Sequence, residues 1–164
     1  MLALVVVAGG LGLLLLASAL LLSPGTSTEP TAEELALRSV TVVPFVAMDE
    51  PSLAPAASHV ATEVARLLAE AMPHARIESG GAGGRAEGGA ATRFRLEGEV
   101  TGRGDDVEVI LRVVDVRDGR AVETSRAIVD RARFSDAGAR LAPKARRLVT
   151  AASLRAAAEG STRG

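Results

Sequence analysis

The chain opens on an unbroken apolar run: residues Leu2 to Leu22 carry no charge. At about 1.5 Å per residue, a helix of that length spans roughly 30 Å, the thickness of a bilayer core. A buried soluble helix would show a polar stripe, and this run shows none. Pro24 and Gly25 then stop the helix. The pattern predicts a transmembrane anchor over 1–23 and a linker over 24–38, with a short helical turn at Glu33 to Leu37. A cleaved signal peptide is the rival reading, because Ala17-Ser18-Ala19 has small-x-small spacing. No Lys or Arg precedes the run, however, and cleavage there would leave Leu20, Leu21 and Leu22 at the new N-terminus. An uncleaved anchor fits better. The uncharged start also raises the expectation of a cytoplasmic domain encoded upstream.

Beyond the linker the periodicity changes. Ser39 to Phe45 is a β-branched run that predicts a strand, ended by Pro44, which has no N–H for a ladder. Residues 46–54 read as a loop. From Pro55 to Met72 the period is helical, with Val60, Val64, Leu67, Leu68 and Ala71 on one face. Pro73 stops this helix, and Ala75 to Ser79 is a short strand. Residues 80–90 read GGAGGRAEGGA, a loop by composition. No Lys-Ser or Lys-Thr follows, so this is not a phosphate cradle.

The clearest alternation lies further on. Phe94, Leu96, Gly98 and Val100 alternate with Arg93, Arg95, Glu97 and Glu99. A turn at 102–106 leads to Val107–Val116, with Val107, Val109, Leu111 and Val113 inward and Glu108 and Arg112 outward. Asp118-Gly119 is a hairpin signal. Ala121 to Asp130 follows, anchored by Val122 and by Ile128 or Val129. These three strands predict an antiparallel meander. Phe134 to about Ala158 is helical, with Leu141, Ala145, Leu148 and Ala152 as its apolar stripe. Pro143 implies either a kink or a helix that begins near Ala142. The expectation is therefore an α/β (α+β) domain over 39–158, with a small mixed sheet in the order β-α-β-β-β-α besides the short strand. The tail, 159–164, is expected to be disordered.

Composition narrows the function. With no cysteine there is no disulfide, thiolate metal site or lipidated cysteine. Three Phe and no Tyr or Trp leave a core of Val, Leu, Ile and Ala. The net charge is −1, which argues against nucleic acid. Charge is uneven, however: residues 24–130 hold 18 acidic and 11 basic side chains, and residues 131–164 hold 2 and 8. The C-terminal helix is thus basic, and Arg140, Lys144, Arg146 and Arg147 are the candidate contacts for an acidic partner, alongside the simpler reading of a basic helix packed on an acidic domain.

No catalytic set is visible. His59 and His74 lack zinc-motif spacing, and Ser58-His59 is not a nucleophile elbow. Asp105 and Asp106 read as solvated turn residues, and Asp115 as a carboxylate cap on the hairpin at Asp118-Gly119. No cofactor and no metal are expected.

The order of elements resembles the TolB amino-terminal-like domain. Val42-Val43-Pro44-Phe45 is similar to that family's "VLPF" opening, Phe94 to Val100 to its "YVLEGSV", and Val107 to Gly119 to its "VRVTAQLIDAATG". The similarity covers about residues 39–150. Two features depart from it: the Gly-rich segment stands where the family has a second helix, and the aromatic of "HLWAERYD" is missing at Ala121 to Ser125. The resemblance implies a small α/β domain for protein contacts and assembly in the bacterial envelope, with distant similarity to curli-secretion and flagellar accessory proteins; with no catalytic set visible, a non-enzymatic module is expected. The expected location is the inner membrane, single-pass, with the domain on the periplasmic side. A sensor fragment of a transmembrane signalling protein and a secreted binding protein are the alternatives. The partner is expected to be an envelope protein of unknown identity.

Overall fold

The computed structural model describes residues 39–80 and 92–161. The expected anchor, the linker and most of the Gly-rich segment lie outside the described residues. Among the described residues, no helix is long and apolar enough to cross a membrane.

β1 (Ser39–Val42) is buried along its whole length. It is shorter than the Ser39 to Phe45 strand expected from composition, and Pro44 is the reason. Val43 still donates to the Leu96 carbonyl at 3.1 Å, and pairing resumes at β2 (Val46–Ala47). The register shifts on the way: Val42 pairs with Leu96, but Val46 pairs with Glu99. Val43 to Phe45 therefore sets three residues against two, a bulge at a residue that cannot donate. Phe45 consequently turns inward over Gly98, where a Cβ would lie 2.4 Å from its ring carbons.

A short 3-10 turn, Pro51–Leu53, leads into α1 (Ala54–Ala71). Its buried face is Ala57, Val60, Ala61, Val64, Ala65 and Leu68. Two members of the expected stripe fall outside it: Leu67 is half-buried and Ala71 exposed. Three alanines take the central places because a flat stripe lets the helix lie close to the sheet.

β3 (Arg76–Ser79) pairs parallel with β1, and β1 pairs parallel with β4 (Phe94–Arg103). The meander expected from alternation then follows, with β5 (Asp106–Asp115) antiparallel to β4 and β6 (Arg120–Asp130) antiparallel to β5. Gly104 and Gly119 supply the positive φ of the two hairpins, at 61° and 68°. The sheet has six strands in the order β3-β1-β4-β5-β6, with β2 added alongside β4. β3 is the short strand expected at Ala75 to Ser79, whereas β2 lies in residues expected to form a loop. A bulge in β6 makes Val122 the extra residue between the Val113–Glu123 and Val114–Ala121 pairs. Val129, and not Ile128, is the inward anchor of this strand: Ile128 is 57% exposed.

Residues Arg131–Asp136 form a 3-10 turn capped by the Asp130 carboxylate, which accepts from the Ala132 N–H at 2.8 Å. α2 (Gly138–Ser161) follows. It begins before Ala142 and runs on past Pro143, so the proline leaves the Ala139 carbonyl without its usual helical donor. It also reaches Ser161, into the segment expected to be disordered. Its stripe of Leu141, Ala145, Leu148 and Ala152 is buried, joined by Val149 and Ala156. Both helices cover one face of the sheet, and the core between them is a single apolar cluster with Phe94, Leu96, Val109, Leu111 and Phe134 at its centre.

Candidate functional site

The opposite sheet face is polar and laced with ion pairs. Arg95 pairs with Glu97 at 2.6 Å, and Arg112 pairs with Glu99 across the strands. Glu108 points to this face, as its place in the alternation predicts, yet only 3% of it is exposed. It is covered by Arg103, whose Nε lies 2.5 Å from Oε2, and by Arg126, which contacts Oε1. It thus lies on the outward face as expected, but neighbours on β4 and β6 desolvate it.

Asp115 takes the role expected of it and one more. Its Oδ1 accepts from the Arg117 N–H at 3.0 Å, and its carbonyl accepts from the Gly119 N–H at 2.9 Å. Its Oδ2 accepts from Arg93 Nε at 3.0 Å, and the two side chains are only 11% and 10% exposed. This cluster pins the end of β5 to the start of β4 and leaves nothing free for chemistry.

Asp105 is an exposed turn residue, and Asp106 is the exposed first residue of β5 and not part of the turn expected of it. Beside them lies a clamp with no mark in the local sequence. Arg131 holds Glu50 with both nitrogens, at 2.7 and 2.8 Å, although 81 residues separate them. Arg131 Nε also donates to the Gly104 carbonyl at 2.8 Å, its N–H to the Asp105 carbonyl at 2.9 Å, and Asp49 accepts from the Gly102 N–H at 3.2 Å. Arg131 thereby ties the loop after β2 to the β4–β5 hairpin and the end of β6. The hydrogen bonds from Arg131 hold the Glu50 carboxyl below its ordinary range, and the same contact raises the guanidinium.

His59 and His74 are both exposed. Among the described residues, no group of three or more His, Cys, Asp or Glu is placed to hold a metal ion.

The four cations expected on α2 are all exposed. Among the described residues none of them has an ion-pair partner, in contrast to Arg66, Arg93, Arg112, Arg131 and Arg155. The 3.6-residue period divides the four. Arg140, Lys144 and Arg147 share the flank that runs beside β6, whereas Arg146 lies on the other side of the buried stripe. Arg155 belongs to the β6 flank too: it donates to the Val122 carbonyl at 2.9 Å and pairs with Glu123 at 2.7 Å. A groove of about 400 Å³ opens further along, between Arg126 to Val129 of β6 and Arg140, Leu141 and Lys144 of α2. The structure thus brings Arg140 and Lys144 to a shared groove with Arg126, a residue that sequence reasoning did not single out.

No protein-family profile matches this chain, and no curated protein does. Solved structures of similar arrangement exist. PelC from Paraburkholderia phytofirmans, solved as a dodecamer, is 21% identical over 65% of this chain and 86% of that chain, with a TM-score of 0.46. Lipoprotein GNA1162 from Neisseria meningitidis is 19% identical over 57% and 80%, with a TM-score of 0.40. TolB from Acinetobacter baumannii is 18% identical over 69% of this chain but 28% of that chain, with a TM-score of 0.44. At this level of similarity none of their roles transfers to the present chain.

Proposed function

We propose that this chain is a membrane-anchored, non-catalytic interaction module on the outer side of the bacterial inner membrane. The apolar run Leu2 to Leu22 is its anchor. The domain over 39–158 meets an envelope protein through the basic side of α2, with Arg140, Lys144, Arg146 and Arg147 as contact residues. One observation carries the reading: among the described residues, exposed cations without ion-pair partners crowd the first half of α2, whereas most other arginines are paired. Unpaired surface cations gathered on one helix steer an acidic partner and select against basic ones. Among the described residues, no convergent set of acid, base and nucleophile accompanies them.

The test is fractionation of a C-terminally tagged full chain, with protease added to spheroplasts, followed by cross-linking. A membrane-bound tag that is digested from outside, with a cross-linked protein lost on reversing the four cations, is the expected result. A soluble product beginning at Leu20 would replace the anchor with a signal peptide. A tag protected from outside protease would overturn the placement.

A further inference from the structure

β6 is the last strand of the sheet, so one edge of its backbone has no strand beside it among the described residues. Long open edges attract other chains, and proteins usually blunt them with charge or bulges. β6 carries both devices, an arginine at each of positions 120 and 126 and the bulge at Val122. Its first half is also occupied, because Arg155 of α2 takes the Val122 carbonyl and Glu123. Its second half is where the groove lies. A strand edge on one side and a helix flank on the other is the shape that accepts an extended peptide as an added strand.

The lining selects the peptide. Three cations, Arg126, Arg140 and Lys144, line the groove, and among the described residues no carboxylate does. Arg126 pairs with Glu108 on the polar sheet face, yet its side chain remains 58% exposed, with donors left over for another anion. Between the cations lie Ala127, Ile128 and Leu141. Ile128 is among the most exposed large apolar side chains of the described residues, at 57%. We infer that the β6–α2 groove binds an extended acidic segment of a partner protein, adding to β6 as a strand, with acidic and apolar residues alternating. Four strand residues, Arg126 to Val129, match a core of about four peptide residues at roughly 3.3 Å each. A second copy paired β6 to β6 is disfavoured, since it would bring the same cations together.

This inference rests on the interaction-module reading and names the partner's chemistry. Its test uses the full chain in nanodiscs of zwitterionic lipid. The probe is a fluorescein-labelled peptide of alternating Glu and Val, read by anisotropy at low salt. Saturable binding is expected, absent for the Gln counterpart and for the peptide N-methylated at alternate residues. Arg140→Glu with Lys144→Glu should weaken it at least about tenfold, on the order of 1.4 kcal/mol. Arg117→Glu with Arg120→Glu, at the end of β6 away from the groove and equal in charge change, should change it little and controls for net charge. All of these positions are exposed, and circular dichroism verifies that the variants fold. Failure to bind, or equal loss with Arg117→Glu and Arg120→Glu, overturns the inference. So does N-methyl-insensitive binding that vesicles of phosphatidylglycerol compete away, which would make the ligand a lipid surface. Self-association of the wild type that the double reversal abolishes would make the occupant a second copy and overturn it too. An anchored protein that cross-links to a partner through another surface would refute the groove and leave the interaction-module reading intact.

Discussion

Replacing Gly98 by alanine tests whether the β1–β2 bulge is held by the Phe45 ring. A Cβ at position 98 would stand 2.4 Å from two ring carbons and 2.8 Å from a third. At an unobstructed strand position, Gly→Ala gains about 0.5–1 kcal/mol, because the unfolded chain loses freedom. Here the ring has to move, and overpacking a filled core costs about 1–3 kcal/mol. The net expectation is a destabilisation of about 1–2 kcal/mol, a substantial part of the roughly 5–15 kcal/mol that holds a small domain together. Phe45→Ala alone, at a side chain 3% exposed, should cost about 3–5 kcal/mol. The double variant is the sharper test. With the ring gone, the alanine at 98 meets open space and regains its chain-entropy advantage. The two changes should therefore be non-additive, the double being about 1–3 kcal/mol more stable than the sum. Urea unfolding of the detergent-solubilised chain, followed by far-ultraviolet circular dichroism, measures all four corners of the cycle. A neutral or stabilising Gly98→Ala with Phe45 intact, or strict additivity, would refute the packing argument.

Other expectations follow from single contacts. Asp115→Ala removes the acceptor of the Arg117 N–H and strands Arg93, so it should cost roughly 1–3 kcal/mol in urea unfolding; Asp115→Asn, which keeps the cap, should cost less. Glu50 has its pKa lowered from 4.5 by Arg131, so its contribution is complete at neutral pH and is lost as pH falls below 4.5 through the folded-state value. Glu50→Gln should accordingly flatten the acid limb of the stability profile, and an unchanged profile would sink that assignment. Pro143→Ala should restore the donor to the Ala139 carbonyl and raise the unfolding midpoint, by as much as ~3 kcal/mol of stability. A lower midpoint would mean that the proline shapes the helix usefully.

Much of this fold was legible where one face of an element is buried and the other wet. Phe94 to Val100 and Val107 to Val113 alternate, and both strands sit where the alternation puts them. The bulges left no such trace. Nothing local marks Val122 as an extra residue, because a bulge is defined by the partner strand. Alanine hid part of the first helix: Ala57, Ala61 and Ala65 carry too little apolar surface to outweigh Leu67 in a sequence pattern, yet their small size is what close packing requires. Glu108 was assigned the correct face but not its burial, since Arg103 and Arg126 come from other strands. Arg140 and Lys144 were visible as charge. Arg126 was not, because only the strand order makes β6 an edge facing α2.

β1 sits inside the sheet, between β3 and β4, and this has a kinetic consequence. Val40 pairs with Ile77 and with Phe94, 37 and 54 residues further on. The first strand to be made is therefore one of the last to find its neighbours. Closing such loops costs chain entropy before any contact repays it, whereas the β4–β5–β6 hairpins close locally. Folding is thus expected to begin at the C-terminal meander with α2, and the β1–α1–β3 unit to dock onto it afterwards. In φ-value terms, Val109→Ala should slow refolding and Val40→Ala should chiefly speed unfolding; the reverse order would place the nucleus in the N-terminal half. A chain that emerges N-terminus first would then carry β1 with at least one edge open until more than fifty further residues have followed it.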